Sequence, residues 1–290
     1  MAFHTERDHS LIIGETGELS VQIPSAEMTW QKVLQAARLV NAQDRGWKSI
    51  TFWWSRGMGS LFESTESGLR PRATLVEQWT QNSLDLPTLP PARTDFKHLD
   101  ERIAKLRGQA SRTEVDGENK LNWEISRSLD QFLGKSWVVA YELFLVQQKA
   151  FQLKADIVAF SPEGHLHIIE LKKDPPGDSP LMAAVELLCY LCQLLRSREP
   201  LLRKIGHQVQ IENYSIQQVT LHVAAPNGWE KRWWERGGSA QDFEHAMQRL
   251  ASHLAQTILG KRYGIGQISF AFQTQQELLD SFREKAKPAL

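Results

Sequence analysis

Cysteine is scarce in this chain: Cys189 and Cys192 are the two cysteines among 290 residues. Their Cys-x-x-Cys spacing leaves a redox or zinc role open, but no second Cys or His pair lies at the spacing of a zinc finger. Both cysteines fall in the apolar run LLCYLCQLL at 187–195, which is typical of a buried helix. We therefore interpret them as small apolar core residues.

Long hydrophobic runs and net charge are missing as well. No apolar run approaches the roughly 20 residues that a membrane-spanning helix needs, and the polar start of the chain, MAFHTERD, is unlike a secretion signal. We therefore expect a cytoplasmic protein with no membrane partner. Basic and acidic residues number 34 each, so the formal net charge is zero. Any contact with nucleic acid must then use a local basic patch.

The chain is long enough for a full core and for two domains. The proline-rich segment LPTLPP at 86–91 is typical of a stiff linker or a domain boundary. We predict a separate, smaller α+β domain of unknown role over residues 1–95, a linker or helical connection over 96–110, and a second domain over 111–290.

Two apolar runs rich in β-branched residues, at 154–160 and 165–173, flank the turn sequence Ser161-Pro162-Glu163-Gly164. Proline and glycine break the runs where a turn must form, so the segment predicts a β-hairpin. Both arms are apolar on both faces, which is typical of interior strands covered on both sides of a sheet.

The register of this hairpin brings charged residues together. If Phe160 faces Leu166, Asp156 lies opposite Glu170, with the two Cβ atoms about 5 Å apart. Two carboxylates at that distance repel each other unless a cation lies between them, and Lys172 projects from the same sheet face as Glu170. A divalent metal resolves the conflict, because hard cations prefer oxygen ligands. The alternative is a buried ion network at the end of the sheet, with no chemistry.

Asp156, a spacer of thirteen residues and Glu170-Leu171-Lys172 resemble the PD-(D/E)xK nuclease superfamily, across roughly the second half of the chain. The resemblance implies an α/β, restriction-endonuclease-like fold, with a mixed central sheet flanked by helices, and metal-dependent cleavage of phosphodiesters. It implies that Asp156, Glu170 and the Leu171 carbonyl hold Mg²⁺ or Mn²⁺. Lys172 then orients the attacking water and offsets charge in the transition state.

A second Glu-x-Lys triplet, Glu118-Asn119-Lys120, does not lie at the end of an apolar strand. Glu118 itself is nevertheless a candidate metal ligand. A helix is predicted from here to residue 133, and Glu118 falls on its apolar stripe with Leu121 and Ile125. The superfamily places a catalytic and metal-binding acid on this helix, so we choose Glu118 and keep Glu124, rotated about 100° from Ile125, as a substitute. The alternative is a helix-start acid that interacts with the helix dipole.

Four residues are candidates for binding the substrate: Lys154, Lys173, Glu186 and Tyr190. Glu186 and Tyr190 lie four apart on one face of a helix predicted at 181–196. In nuclease branches that resemble RecB and lambda exonuclease, a Gln and a Tyr at this spacing bind near the phosphate, and here Glu186 departs from that pattern. Lys154 and Lys173 are candidate phosphate contacts, with solvated surface charge as the alternative.

The remaining pattern adds strands and helices in an order that fits the same fold. Further strands are predicted at 11–13, 19–23, 48–54, 137–145, 218–226 and 265–272, and further helices after Ser25 and at 241–259. The Trp53-Trp54 and Trp233-Trp234 pairs, each beside arginine, have the composition that stacks unpaired bases, with core packing as the alternative.

In layout, the resemblance is nearest to NucS-like and RecB-like domains. It implies a nuclease of DNA repair or of defence against phages and plasmids, with DNA favoured over RNA as the partner. A catalytically inactive module that binds nucleic acid or another protein is the alternative, and a homodimer is one of the oligomeric states that the sequence leaves open.

Overall fold

The computed structural model describes residues 2–5, 9–13, 19–22, 28–34, 62–65, 68–86, 93, 95–108, 118–146, 153–173, 180–227 and 240–286. The strands are β1 (Ala2–Thr5), β2 (His9–Ile13), β3 (Leu19–Gln22), β4 (Phe62–Thr65), β5 (Gly68–Pro71), β6 (Val138–Phe144), β7 (Lys154–Phe160), β8 (His165–Leu171), β9 (Gln218–Ala225) and β10 (Gln267–Thr274). The helices are α1 (Ala73–Asp85), α2 (Lys97–Arg107), α3 (Glu118–Leu133), α4 (Pro180–Arg196), α5 (Arg198–Val209), α6 (Ala240–Gln256), α7 (Ile258–Tyr263) and α8 (Gln275–Lys285).

A five-stranded sheet in the order β10-β9-β8-β7-β6 forms the centre of the described structure. Strand β7 pairs antiparallel with both β6 and β8, whereas β9 pairs parallel with both β8 and β10. The sheet is therefore mixed, and helices flank it on both faces, which confirms the predicted α/β class. The hairpin has the predicted register, because Phe160 pairs with Leu166 and Val158 with Ile168.

The two faces of the sheet bury two separate hydrophobic clusters. One face packs against α4 and α6, and it receives Val158, Phe160, Leu166 and Ile168 from the hairpin. The other face packs against α3 and α8, and it receives Ile157, Ala159, Ile169 and Leu171. Burying each large side chain of this kind contributes about 1.5–3 kcal/mol, so both faces hold the hairpin in a single register.

Helix α3 begins at Glu118, as predicted, and turns its apolar stripe toward the sheet. Ile125, Leu129 and Leu133 are buried there, and Leu121 packs at the edge. Helix α4 is buried along most of its length, and Cys189 and Cys192 are buried thiols within it. Burial raises the pKa of Cys192 to about 12, so the thiol stays protonated, which agrees with its interpretation as a core residue.

The C-terminal elements differ in part from the prediction. The helix predicted at 241–259 is two helices, α6 and α7, with a break at Thr257. Gly264, at φ +72°, ends α7, and the expected stop at Gly260 lies inside that helix. Helices α5 and α8 were not predicted. The last strand, β10, ends at Thr274, whose side chain and that of Glu277 form a capping box that starts α8.

The N-terminal part contains a three-stranded sheet, β1-β2-β3, and the β4-β5 hairpin. Strands β2 and β3 agree with two predicted strands, whereas the strand at 48–54, Ser25 and residues 87–91 of the linker lie outside the described residues. Trp30 packs edge-on against Trp79 of α1, and its indole donates a hydrogen bond to Thr80 over 3.1 Å. Both tryptophans belong to the same hydrophobic cluster as the buried residues of α4. The domain boundary near residue 95 stays a prediction.

In the part of the chain that the structure describes, no helix combines the length and apolarity needed to cross a membrane.

Candidate active site

Strands β7 and β8 separate at the predicted acid pair. Their ladder ends at the pair Ile157–Ile169, one position before Asp156 and Glu170. There the Asp156 carboxylate takes the place of a backbone acceptor, because its Oδ2 accepts a hydrogen bond from the Leu171 N–H over 2.9 Å. Asp156 Oδ1 accepts a second hydrogen bond, over 3.0 Å, from the side-chain amide of Asn122 on α3.

The neighbouring strand β6 changes conformation at the same level. Glu142 lies between the pairs Tyr141–Ile157 and Leu143–Ala155, so it stands across from Asp156. Its φ of +51° is in the left-handed region, which is uncommon for a residue other than glycine. Tyr141 and Leu143 belong to different hydrophobic clusters, as do Ile157 and Ala155, so both strands change face here. Because of this distortion, the side chain of Asp156 does not follow the regular alternation of side chains between the two faces of the sheet.

Glu142 is balanced by two cations. Its carboxylate accepts a hydrogen bond from Lys154 Nζ over 2.8 Å, and Arg102 lies 3.3 Å from its other oxygen. The guanidinium of Arg102 also lies over the Tyr141 ring, 4.6 Å from the centroid. Lys154 is therefore paired with an acid beside the site, and its predicted contact with a phosphate stays a prediction.

Lys172 is at the centre of a buried ion network. Its ammonium donates hydrogen bonds to Glu170 Oε1 over 2.9 Å and to Glu186 Oε2 over 3.0 Å. The side chains of all three residues are less than a tenth exposed. The structure thus brings Asp156, Glu170 and Lys172 together at one strand end, and it adds Glu186 from α4 as a partner of the lysine.

Two further hydrogen bonds hold the backbone of Lys172. Its N–H donates to the carbonyl of Ala224 on β9 over 2.9 Å. Its carbonyl accepts from the side-chain amide of Gln275, the first residue of α8, also over 2.9 Å. Both the main chain and the side chain of Lys172 are therefore tied to neighbouring elements.

The charges of this cluster do not balance. Asp156, Glu170 and Glu186 carry three negative charges when ionised, against one positive charge on Lys172, which leaves −2. Lys154 and Arg102 outweigh Glu142 by one positive charge, so the site together with these neighbours keeps −1. Glu170, Lys172 and Glu186 are buried, and Asp156 is half-buried beside them. Burial raises the pKa of Asp156 to about 6, although the Leu171 N–H and Lys172 both favour its ionised form. Burial, and next the charge of Asp156, raise the pKa of Glu170 well above its usual value. In the absence of a further cation, the carboxyl groups of Asp156 and Glu170 bind protons more readily, which lowers the negative charge of the site.

Several buried oxygens at this strand end have no hydrogen-bond partner within the described residues. They are Glu170 Oε2, Asn122 Oδ1 and, one turn later on α3, Ser126 Oγ. Oxygen atoms are the ligands that Mg²⁺ and Mn²⁺ prefer, so this set of one carboxylate, one amide and one hydroxyl oxygen fits a hard divalent cation. Within the described ranges, no cluster of three or more His, Cys, Asp and Glu is arranged to hold a metal. Any ion here therefore draws on backbone carbonyl, amide and water oxygens as well.

Asn122 was not predicted as a site residue from the sequence. It lies one turn after Glu118 on the same face of α3, and a polar residue in an otherwise buried stripe was the available signal. The Glu118 side chain is outside the described part, so its metal role stays a prediction. Glu124 lies two residues after Asn122, about 200° around the helix, so Asn122 is the better placed of the two.

The other predicted substrate contacts have different surroundings. Tyr190 is buried on α4, one turn after Glu186, and Lys173 is exposed next to Lys172. Their contacts with substrate stay predictions. The Trp53-Trp54 and Trp233-Trp234 pairs lie outside the described residues.

A separate group of histidines lies on the face that packs against α8. His167 Nδ1 is 2.9 Å from His222 Nε2, and Gln273 Nε2 is 3.2 Å from His222 Nδ1. Burial lowers the pKa of His222 to about 3 and that of His167 well below its usual value, so both imidazoles are neutral at pH 7. His167 and His222 therefore belong to the packing of the sheet.

Comparison with known proteins identifies no relative: no family model, no curated protein and no solved structure matches the chain. The function is therefore inferred from the residues and geometry of the site.

Proposed function

We propose that this protein is a metal-dependent nuclease of the PD-(D/E)xK type, with a restriction-endonuclease-like fold. The observation that supports this best is the excess of negative charge where β7 and β8 separate. Glu170, Glu186 and the Lys172 ammonium are buried together with Asp156 half-buried beside them, and Glu170 Oε2 has no hydrogen-bond donor among the described residues. A buried site with this charge is costly unless a cation neutralises it.

Asp156, Glu170 and the Leu171 carbonyl would hold one Mg²⁺ or Mn²⁺, with Asn122 or Glu118 adding an oxygen from α3. A bound divalent ion polarises a phosphodiester and lowers the pKa of a coordinated water. Lys172 places a positive charge at the same strand end, where it offsets the charge that grows on the phosphate oxygens in the transition state. Lys173, which is exposed next to it, would contact the backbone of a nucleic acid.

One feature favours a second candidate function. The ammonium of Lys172 bonds both Glu170 and Glu186, so part of the network is compensated without a metal. The protein would then be a catalytically silent module that binds nucleic acid or another protein. Such a module shows no dependence on Mg²⁺ or Mn²⁺, and a pure protein-interaction module retains no DNA or RNA even at low salt.

The experiment is a cleavage assay with the purified protein. Circular and linear substrates, single- and double-stranded, as DNA and as RNA, are incubated with Mn²⁺, with Mg²⁺ and with chelator. We expect metal-dependent cleavage of DNA, lost in both the Asp156→Asn and Glu170→Gln variants. Gln276→Ala, an exposed change on α8, is the matched control and keeps full activity. Cleavage that persists in the two acid variants would overturn the assignment of the site.

A further inference from the structure

We infer that Glu186 and Gln275 are positioning residues for Lys172: Glu186 holds its ammonium and Gln275 holds its main chain. This inference rests on the proposed function, in which Lys172 faces the phosphate. Neither residue belongs to the strand pair that carries the acids, and they come from helices on opposite faces of the sheet.

The geometry at the ammonium requires a second partner for Lys172. Glu170 Oε1 lies 2.9 Å from Nζ, but Glu170 is also a proposed metal ligand. A carboxylate that binds a divalent ion loses part of its attraction for an ammonium, because the ion competes for its charge. Glu186 Oε2, 3.0 Å away on α4, then keeps the ammonium in place. A glutamine at position 186 would offer an oxygen acceptor but no charge.

The geometry at the main chain points to Gln275. Strand β8 ends at Leu171, so the peptide after it is no longer held by a complete ladder. The Lys172 N–H still bonds to β9, but its carbonyl is bonded by the Gln275 amide, 103 residues later in the chain. The capping box at Thr274 and Glu277 fixes the first turn of α8 and so the direction of the Gln275 side chain. Gln275 thereby fixes the main-chain position from which the Lys172 side chain extends.

The first test measures how firmly Lys172 is held, without using activity. Acetylation of Lys172 and of its exposed neighbour Lys173 is followed by mass spectrometry in the full-length protein. A hydrogen bond to a charged group is worth about 1.5–3 kcal/mol, or roughly 10- to 100-fold in the release of the ammonium. In Glu186→Ala we therefore expect Lys172 to react about tenfold faster or more, relative to Lys173. Glu186→Gln is expected to be intermediate.

The second test separates turnover from binding. With a substrate that the wild type cleaves, Glu186→Ala is expected to lower kcat about tenfold or more while KM changes less than about threefold. Glu186→Gln should recover most of kcat, because the oxygen acceptor is retained. Gln275→Ala is expected to lower kcat in the same way, and Gln276→Ala, the adjacent exposed residue, is its control.

The outcomes are distinct. Unchanged acetylation of Lys172 in Glu186→Ala, or equal kcat in Gln275→Ala and the wild type, overturns the inference. A Mn²⁺ affinity that falls about tenfold in Glu186→Gln also overturns it, because Glu186 is then a metal ligand. If the wild type cleaves no substrate, the proposed nuclease function fails, and the acetylation ratio still decides whether Glu186 holds Lys172.

Discussion

Replacing Asp156 by asparagine is expected to make the metal-free protein more stable at pH 8. Burial raises the pKa of this carboxyl from 3.8 to about 6, so the folded protein binds its proton more tightly than the unfolded chain does. A shift of about two pKa units corresponds to about 3 kcal/mol. Because the folded pKa of an acid is raised, the cost is absent below pH 3.8, grows between pH 4 and 6, and is complete above pH 6.

Asparagine is suited to this test because it nearly preserves the shape and hydrogen bonds of the site. Its side-chain oxygen can accept from the Leu171 N–H, as Asp156 does. Its amide can donate to Asn122 Oδ1 only after the Asn122 amide turns over, because Asn122 Nδ2 donates to Asp156 Oδ1 in the wild type. The variant therefore removes the charge and keeps one hydrogen bond to each neighbour, but Asn122 Nδ2 loses its acceptor, so about 3 kcal/mol is the upper limit of the gain in stability.

The measurement is unfolding by urea and by heat, in chelator, between pH 4 and pH 8. At pH 8 we expect Asp156→Asn to exceed the wild type by up to about 3 kcal/mol, or roughly 5–10 °C in Tm. At pH 4 the two are expected to unfold together. Asp280→Asn, the same change at an exposed position on α8, is the control. A variant that is less stable than the wild type at pH 8 would refute the reasoning.

Addition of Mn²⁺ tests the same negative charge, because a bound cation neutralises it. A ligand that binds only the folded state at 100 times its Kd adds about 2.7 kcal/mol to stability. We expect Mn²⁺ to stabilise the wild type at pH 8 and to have little effect on Asp156→Asn. An equal rise in Tm for both proteins would show that the ion binds elsewhere.

Three further predictions concern other parts of the fold. Glu142→Gln leaves Lys154 and Arg102 without a carboxylate, so we expect a loss of about 1–3 kcal/mol in the free energy of unfolding measured in urea. His222 is kept neutral because burial lowers its pKa to about 3, so the wild type should lose stability as pH falls below 6.5, and His222→Gln should flatten that decline in thermal unfolding at pH 4–7. Gly264→Ala forces a Cβ into a φ of +72°, so we expect a loss of roughly 1–2 kcal/mol in urea, and an unchanged midpoint would contradict this explanation of how α7 ends.

The hairpin was predictable because its information is local. The turn at 161–164 sets the register, and the two-residue period of a strand sets which side chains share a face. The same local rules predicted the start of α3 at Glu118 and the burial of both cysteines in α4. From these rules alone, Asp156, Glu170 and Lys172 were expected to lie at one strand end.

Turns that depend on neighbouring elements were harder to predict. The break between α6 and α7 is not marked by proline, and Gly260 resembled a helix stop, although its Cα packs closely against the carbonyl of Ala255. Helices α5 and α8 were missed, and with α8 the contact between Gln275 and the Lys172 carbonyl was missed as well.

The sequence by itself determined which acids and which lysine stand at the end of the central hairpin, because that arrangement follows from strand periodicity and one turn. Only the tertiary structure decided how they are held. Asn122 reaches Asp156 from 34 residues away, Glu186 reaches Lys172 from 14, and Gln275 from 103. Glu142, in its left-handed conformation, likewise has its carboxylate paired with Arg102 from α2 and Lys154 from β7. Such contacts depend on how helices pack across the sheet, and the local pattern of residues does not specify that packing.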